Sequence, residues 1–128
     1  MVIDTSALLA IFLAEPERER FLEAITGADT RWISAANVLE TGIVLEARRG
    51  EAAGREFDLF LNKANIEAVP VDADQIEIAR IAWRKYGKGR HRASLNFGDC
   101  FAYALARISD APLLAKGNDF DHTDVRLV

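Results

Sequence analysis

The sequence is poor in the residues that bind zinc or form disulfides. It contains one cysteine, Cys100, and two histidines, His91 and His122, which lie far apart along the chain. A single cysteine excludes an internal disulfide bond, and three such scattered residues do not make a zinc site. Cys100 lies among apolar residues, so we expect it to be buried rather than reactive, in a protein of the reducing cytoplasm.

The sequence also lacks long apolar runs, low-complexity segments and internal repeats. No run approaches the length of a membrane span, and Asp4 stands where a secretory signal would carry cations. There is no phosphate-binding glycine loop and no nucleophile elbow. Asp4 is not followed two residues later by the second aspartate that an aspartyl-phosphate phosphatase needs. We therefore expect no membrane partner and no chemistry of these kinds.

The length and composition are those of one ordinary globular domain, which we expect to span residues 1–128. The sequence is 50% apolar and 28% charged. A chain of this length buries roughly two-thirds of its unfolded surface, enough for a hydrophobic core. The net charge of −4 argues against nucleic-acid binding over the whole surface, but it leaves room for a local basic patch.

Hydrophobic patterning predicts strands that alternate with helices. The predicted strands are residues 2–3, 31–33, 66–71, 112–115 and 125–128. Ser34 and Asn96 are predicted N-caps of two of the helices. Leu39, Ile43 and Phe97 have the spacing of packed helix faces, and we assign them to the core together with Trp83. The alternation predicts a three-layer α/β/α sandwich around a mostly parallel sheet of four or five strands.

Four acidic residues need explaining. Asp4 ends a buried strand, Glu40 lies at the rim of a packed helix face, Asp99 lies in the first turn of the most apolar helix, and Asp119 follows the strand at 113–114. Ligands of open α/β sheets bind at the carboxyl ends of the strands, and with the first strand central these acids can converge there. Carboxylate oxygens are hard ligands that suit Mg²⁺ or Mn²⁺.

Most of these acids also have a purely structural explanation. Asp4 is as well placed to cap the first helix as to bind a ligand. Asp99 suits a capping box with Asn96, and Asp119 suits a turn. Glu40 lies in mid-helix, where no cap is available and only a salt bridge at the rim would account for it. The combination is therefore more informative than any single member.

One segment, residues 84–96, carries positive charge without any acid. Its cations are Arg84, Lys85, Lys88, Arg90 and Arg92. The plain interpretation is a solvated loop marked by Gly87 and Gly89. The functional interpretation is a grip on phosphates beside the helix that bears Asp99. An acidic metal site with cations at its rim is what phosphodiester cleavage requires, because the metal activates water and the cations hold the polyanion.

Four segments, each weak alone, form a specific pattern together. They are VIDTS at 2–6, SAANVLE at 34–40, YGKGRH at 86–91 with LNFGDC at 95–100, and LLAKGNDF at 113–120. On these segments the chain resembles a PIN-domain ribonuclease, specifically a VapC-type toxin of a bacterial toxin–antitoxin pair. The resemblance covers nearly the whole chain. It implies a PIN-like α/β/α sandwich and Mg²⁺- or Mn²⁺-dependent endonuclease activity on RNA.

The resemblance also implies which residues act. It makes Asp4, Glu40 and Asp99 the acids of the site and places the hydroxyls of Thr5 and Ser6 in support. The family's fourth acid falls on Gly117 here, with Asn118 after it, so Asp119 is the nearest substitute and Asp121 or Asp124 are the others. Toxins of this kind pair with a cognate antitoxin that inserts into the acidic groove, and they commonly form homodimers.

The predicted mechanism is hydrolysis of RNA that leaves 5′-phosphate and 3′-hydroxyl ends. Asp4 and Asp99 are predicted to bind Mg²⁺ directly, with Glu40 and Asp119 completing the site through water or a second ion. The predicted phosphate contacts come from Lys85, Lys88, Arg90 and Arg92, which carry no base information.

Two other classes of function compete with this mechanism. One is a catalytically weak PIN-like binding module that acts through protein partners, which a missing fourth acid would favour. The other is a phospho-acceptor receiver domain with Asp4 in its acidic pocket. The receiver is disfavoured because the phosphorylated aspartate of such domains lies on a strand in the middle of the chain. Here no aspartate at the end of a strand precedes a helix in the middle of the chain.

Overall fold

The chain alternates between short strands and helices in the computed structural model, which describes residues 1–128. The strands are β1 (Val2–Ile3), β2 (Trp32–Ser34), β3 (Glu67–Val69) and β4 (Leu113–Leu114). The helices are α1 (Thr5–Phe12), α2 (Arg18–Gly27), α3 (Ala35–Arg49), α4 (Glu51–Lys63), α5 (Ala73–Tyr86) and α6 (Phe97–Ser109), and a 3₁₀ turn follows at Asp119–His122.

The four strands form one parallel sheet in the order β3-β2-β1-β4. Val2 and Ile3 are fully buried, as expected for a central strand with helices on both faces. The predicted α/β/α sandwich with a parallel sheet and a central first strand is therefore confirmed. The last predicted strand is reduced to a single parallel bridge between Leu113 and Leu127.

Two hydrophobic cores lie on the two faces of this sheet. One face packs Ile3 and Ile33 against α1 to α4, and the other packs Val2 and Leu113 against α5 and α6. Successive strand residues point to opposite faces, so each two-residue strand serves both cores. None of the helices combines the length and the apolar character that a membrane span needs.

Four side chains assigned to the core are instead exposed. The exposed fraction is 65% for Leu39, 57% for Ile43, 82% for Phe97 and 45% for Trp83. The prediction from apolar spacing was therefore wrong for these residues.

The error on α3 has a simple geometric cause. The helix buries a stripe at i, i+4 and i+8 that consists of Asn37, Thr41 and Leu45. This stripe is mostly polar, so it gives no hydrophobic period, and the apolar pair Leu39 and Ile43 lies on another side of the helix.

The predicted helix starts are confirmed by their hydrogen bonds. The Ser34 hydroxyl accepts from the backbone N–H of Ala36 at 3.3 Å, and Asn96 caps α6 through the backbone N–H of Asp99 at 2.9 Å. These caps fix where α3 and α6 begin, close to the carboxyl ends of the strands. The first turns of both helices are therefore held near the end of β1.

Candidate acidic site

Asp4 lies immediately after β1 and is only 2% exposed. It caps α1: its Oδ2 accepts hydrogen bonds from the backbone N–H of Ser6 at 2.9 Å and from the Ser6 hydroxyl at 2.6 Å. Its other oxygen, Oδ1, is buried without a hydrogen-bond partner. The capping prediction for Asp4 is thus confirmed, but a cap uses one oxygen and leaves the second one unexplained.

The two hydroxyls after Asp4 connect it to neighbouring elements. Ser6 Oγ accepts from the backbone N–H of Lys116 at 2.9 Å, which ties the chain after β4 to the start of α1. Thr5 is buried, and its hydroxyl donates to the Asn37 carbonyl at 3.3 Å. These bonds fix α1 against α3 and β4 and thereby hold the Asp4 carboxylate in place.

Asp99 is buried in the first turn of α6 and forms the predicted capping box. Its Oδ2 accepts from the backbone N–H of Asn96 at 3.0 Å, and Asn96 Oδ1 accepts from the Asp99 backbone N–H at 2.9 Å. The structural explanation is therefore confirmed here as well. It does not exclude a second role, because one carboxylate has several acceptor positions.

Glu40 is half-buried on α3 and faces the start of α6. Its Oε1 accepts from Asn37 Nδ2 at 3.2 Å. Its carboxylate lies directly against Gly98, where a Cβ atom would overlap it. No ion pair to Glu40 is present, so the rim salt bridge that could have explained this acid is absent.

Asn37 is a site residue that sequence reasoning did not single out. It is fully buried, and its Nδ2 donates both to Glu40 and to the carbonyl of Gly98 at 3.0 Å. Its Oδ1 has no hydrogen-bond partner. The signal was an amide and a hydroxyl, Asn37 and Thr41, four residues apart on one helix face, where a packed helix would carry apolar groups.

The electrostatics show that the acids share one neighbourhood. Burial raises the pKa of Asp4 to about 6, opposed by the bonds from Ser6 and assisted by the charge of Glu40. Burial also raises the pKa of Asp99 to about 7, with further contributions from the charges of Asp4, Asp119 and Glu40. These charge effects agree with the packing of the Glu40 carboxylate against Gly98, the residue before Asp99, which places an acid of α3 beside the first turn of α6.

The candidates for the fourth acid differ in their surroundings. Asp119 is exposed in the 3₁₀ turn, yet its charge contributes to the raised pKa of Asp99. Asp121 is also exposed. Asp124 is engaged elsewhere, because it accepts from the Tyr103 hydroxyl at 2.6 Å and lies 3.7 Å from Arg107.

The side-chain oxygens of this site fit a hard divalent cation that has few direct protein ligands. All the convergent groups are carboxylate or amide oxygens, and Asp4 Oδ1 and Asn37 Oδ1 are buried acceptors without donors. No group of three acidic, histidine or cysteine side chains is arranged to hold a metal ion by itself. A Mg²⁺ ion bound through one or two carboxylates, with water in its other positions, is compatible with both observations.

The cationic segment begins inside α5, because Arg84 and Lys85 belong to its last turn, so the predicted loop is confined to the residues between Tyr86 and Phe97. The Arg90 guanidinium lies 4.3 Å from the centre of the Trp83 ring, and the Lys85 ammonium lies 5.0 Å from that of Tyr86. Lys88 and Arg92 are exposed. None of the ion pairs in the chain uses a cation of this segment, so its charge is available to a ligand.

Comparison with known families gives a match to nearly the whole chain. The family model described as "PIN domain" matches residues 1–126. Among curated proteins, Ribonuclease VapC30 of Mycobacterium tuberculosis is 57% identical over 128 residues, which covers 100% of this chain and 98% of that protein.

Solved structures share the fold at low sequence identity. The Mycobacterium tuberculosis toxin VapC20, described as cleaving the sarcin–ricin loop, has a TM-score of 0.80 at 18% identity and covers 99% of this chain and 97% of that one. A toxin–antitoxin complex from Klebsiella pneumoniae has a TM-score of 0.73 at 18% identity, with coverage of 99% and 95%.

Proposed function

We propose a site and a reaction for this chain from one premise: it belongs to the PIN-domain family and, within that family, to the VapC ribonucleases. Its activity is accordingly that of an RNA-cleaving toxin. The proposal concerns the parts that family membership leaves open, namely which side chains act, which ion they bind and which partners they meet. The observation that carries it is a buried Asp4 oxygen without a hydrogen-bond partner, in a site where the Glu40 carboxylate packs against Gly98, the residue before Asp99.

The ion is Mg²⁺ or Mn²⁺, held directly by Asp4 and Asp99. Glu40 and Asp119 complete the site through water or a second ion. When bound, a divalent cation lowers the pKa of coordinated water and neutralises charge on the phosphate. It also gives the buried Asp4 Oδ1 the partner that the protein itself does not supply. Compensation of the negative charges by a cation explains why the fold tolerates them at one place.

The remaining residues position these acids and the substrate. Ser6 orients the Asp4 carboxylate through two hydrogen bonds, and Thr5 anchors the start of α1 to α3. The phosphates of the RNA are held by cations at the end of α5 and in the loop before α6, which are Lys85, Lys88, Arg90 and Arg92. Hydrolysis leaves 5′-phosphate and 3′-hydroxyl ends.

Cleavage of a structured RNA by the purified protein with added Mg²⁺ tests this assignment. The variants Asp4→Asn and Asp99→Asn keep the size of each side chain and remove its charge, so both should lose cleavage. Asp58→Asn, which removes an exposed acid from α4, is the matched control and should cleave normally. Full cleavage by both site variants would reject the assignment.

A protein partner follows from the same site. We propose that a cognate antitoxin places a basic residue against the acidic edge. We also propose that the chain forms a homodimer and acts in the cytoplasm. A solved neighbour with this fold is a toxin–antitoxin complex. Leu39 and Ile43 are exposed on α3 beside Glu40, and such apolar surface next to a charged site is typical of an interface.

A second candidate is a binding module with weak catalysis that acts through its partners. It is favoured by the absence of three grouped metal-binding side chains and by the glycine at position 117. Expression of the chain without an antitoxin separates the two functions. A nuclease arrests growth and the Asp4→Ala variant does not, whereas a binding module gives the same growth with either chain.

A further inference from the structure

A groove between α5 and α6 combines aromatic rings with cations. Its volume is about 770 Å³, and its aromatic lining consists of Trp83, Phe97 and Phe101. Trp83 and Phe97 are the exposed aromatic side chains that apolar spacing had assigned to the core. Pockets of roughly 300–1,000 Å³ are the size that organic ligands occupy.

The charge of the groove has one sign. Arg80, Arg84, Lys88 and Arg90 line it, and no acidic residue does. None of the four is in an ion pair. In a chain with a net charge of −4, this is a local concentration of unneutralised positive charge, which favours an anionic ligand.

The groove and the acidic site share the first turn of α6. Asn96 and Cys100 line the groove, while Asp99, between them, takes part in the acidic cluster. Asn96 also bonds directly to the backbone N–H of Asp99 at 2.9 Å. The groove and the acidic site are therefore neighbours along the start of α6.

We propose that this groove binds an unpaired nucleobase of the RNA substrate, stacked on Trp83, while the surrounding cations hold the adjacent phosphates. The proposal rests on the proposed ribonuclease function and adds a base-binding site to it. Aromatic rings and arginine guanidinium groups are the surfaces on which unpaired bases stack, and the Arg90 guanidinium lies 4.3 Å from the centre of the Trp83 ring. The substrate class is RNA with a single-stranded segment at the cut.

The positive charge of the groove favours RNA over a second copy of the chain as its ligand. A symmetric contact between two copies pairs this patch with itself, so Arg80, Arg84, Lys88 and Arg90 of both copies would enter one interface to which the patch brings no acid. The centres of protein interfaces are depleted in charged residues, whereas an RNA strand brings a compensating phosphate with every base. The cations therefore favour RNA.

Fluorescence of Trp83 tests the proposal without any cleavage. The chain has two tryptophans, so Trp32→Phe leaves Trp83 as the single reporter. The probes are an unstructured RNA of ten nucleotides and an abasic strand of the same length, both without divalent ion. We expect the RNA to quench Trp83 and the abasic strand to bind roughly 5- to 100-fold more weakly with no quenching. Equal quenching and affinity would overturn the proposal.

Substitutions in the groove provide an independent measurement. Trp83→Leu should weaken RNA binding by roughly 5- to 100-fold, and Trp83→Phe, which keeps a ring, should retain most of it. Ile81→Ala removes an exposed apolar side chain from the same helix outside the groove and is the matched control. If Trp83→Leu instead dissociates a dimer and leaves RNA affinity unchanged, the groove is an interface between copies and the proposal is wrong.

These outcomes are separable from those of the nuclease assignment. Quenching of Trp83 by RNA together with normal cleavage by Asp4→Asn and Asp99→Asn would leave the base site standing and remove the acidic site. If cleavage needs both acids but RNA does not quench Trp83, the acidic site stands and the base site is removed.

Discussion

The acidic edge and the aromatic groove invert the usual distribution of side chains in opposite ways. At the edge, Asp4, Asn37 and Asp99 are polar and buried. In the groove, Trp83 and Phe97 are aromatic and exposed. Folding alone favours neither arrangement, because burial of an unpaired polar atom costs free energy and exposure of a ring forfeits burial. Both regions are therefore where a ligand is expected to complete the structure.

The largest expected effect separates chemistry from binding. Asp4→Asn should lower the rate of RNA cleavage by more than about 100-fold, beyond the 10- to 100-fold typical of residues that only support a metal ligand. Its affinity for RNA without divalent ion should be unchanged, because the groove is intact. Cleavage rates and filter binding on the same RNA measure the two quantities. If cleavage rate and RNA affinity fell together, the acidic edge and the groove would be one binding site.

The pH dependence of stability tests the buried charges at the acidic edge. In the unfolded chain an aspartate has a pKa of about 3.9, whereas in the folded, metal-free protein the pKa of Asp4 is about 6 and that of Asp99 about 7. The folded state thus binds protons more tightly. The resulting stabilisation is complete below pH 4 and is lost as the pH rises through about 6 to 7.

Asp99→Asn isolates this contribution, because the amide oxygen can still accept from Asn96 but cannot ionise. At pH 7.5 without metal, the variant should exceed the parent in free energy of unfolding by roughly 2–4 kcal/mol, and the difference should vanish near pH 4. Mn²⁺ should stabilise the parent at pH 7.5 and not the variant. Denaturant unfolding at both pH values measures this, and a difference independent of pH would contradict it.

Asn37 tests whether the buried polar stripe of α3 is a positioning device. Asn37→Ala leaves Glu40 and the Gly98 carbonyl without their common donor. We expect a loss of about 1–3 kcal/mol in the free energy of unfolding and a loss of about 10-fold in cleavage. Ser109→Ala, which removes a hydroxyl bond at the far end of α6, should leave cleavage unchanged. Normal cleavage by Asn37→Ala would reduce the residue to a structural role.

The layers of the fold and the starts of α3 and α6 could be predicted from the sequence, but the packing of α3 could not. Val2, Ile3, Ser34 and Asn96 carry local signals, since a buried strand and a helix cap depend on a few neighbouring residues. The burial of Asn37 depends instead on Gly98, which is 61 residues away in sequence. A contact of that range leaves no periodic trace, so the inward face of the helix was assigned to the wrong residues.

The smallest expected effect follows from that misassignment. A core position at Leu39 would lose about 2–5 kcal/mol on truncation, as Leu45→Ala should, because Leu45 is fully buried. Leu39 is 65% exposed, so Leu39→Ser should change the free energy of unfolding of the monomer by no more than about 0.5 kcal/mol. Unfolding at low protein concentration measures both. A large loss for Leu39→Ser that grows with protein concentration would show that a partner covers this face, since association adds to apparent stability by mass action.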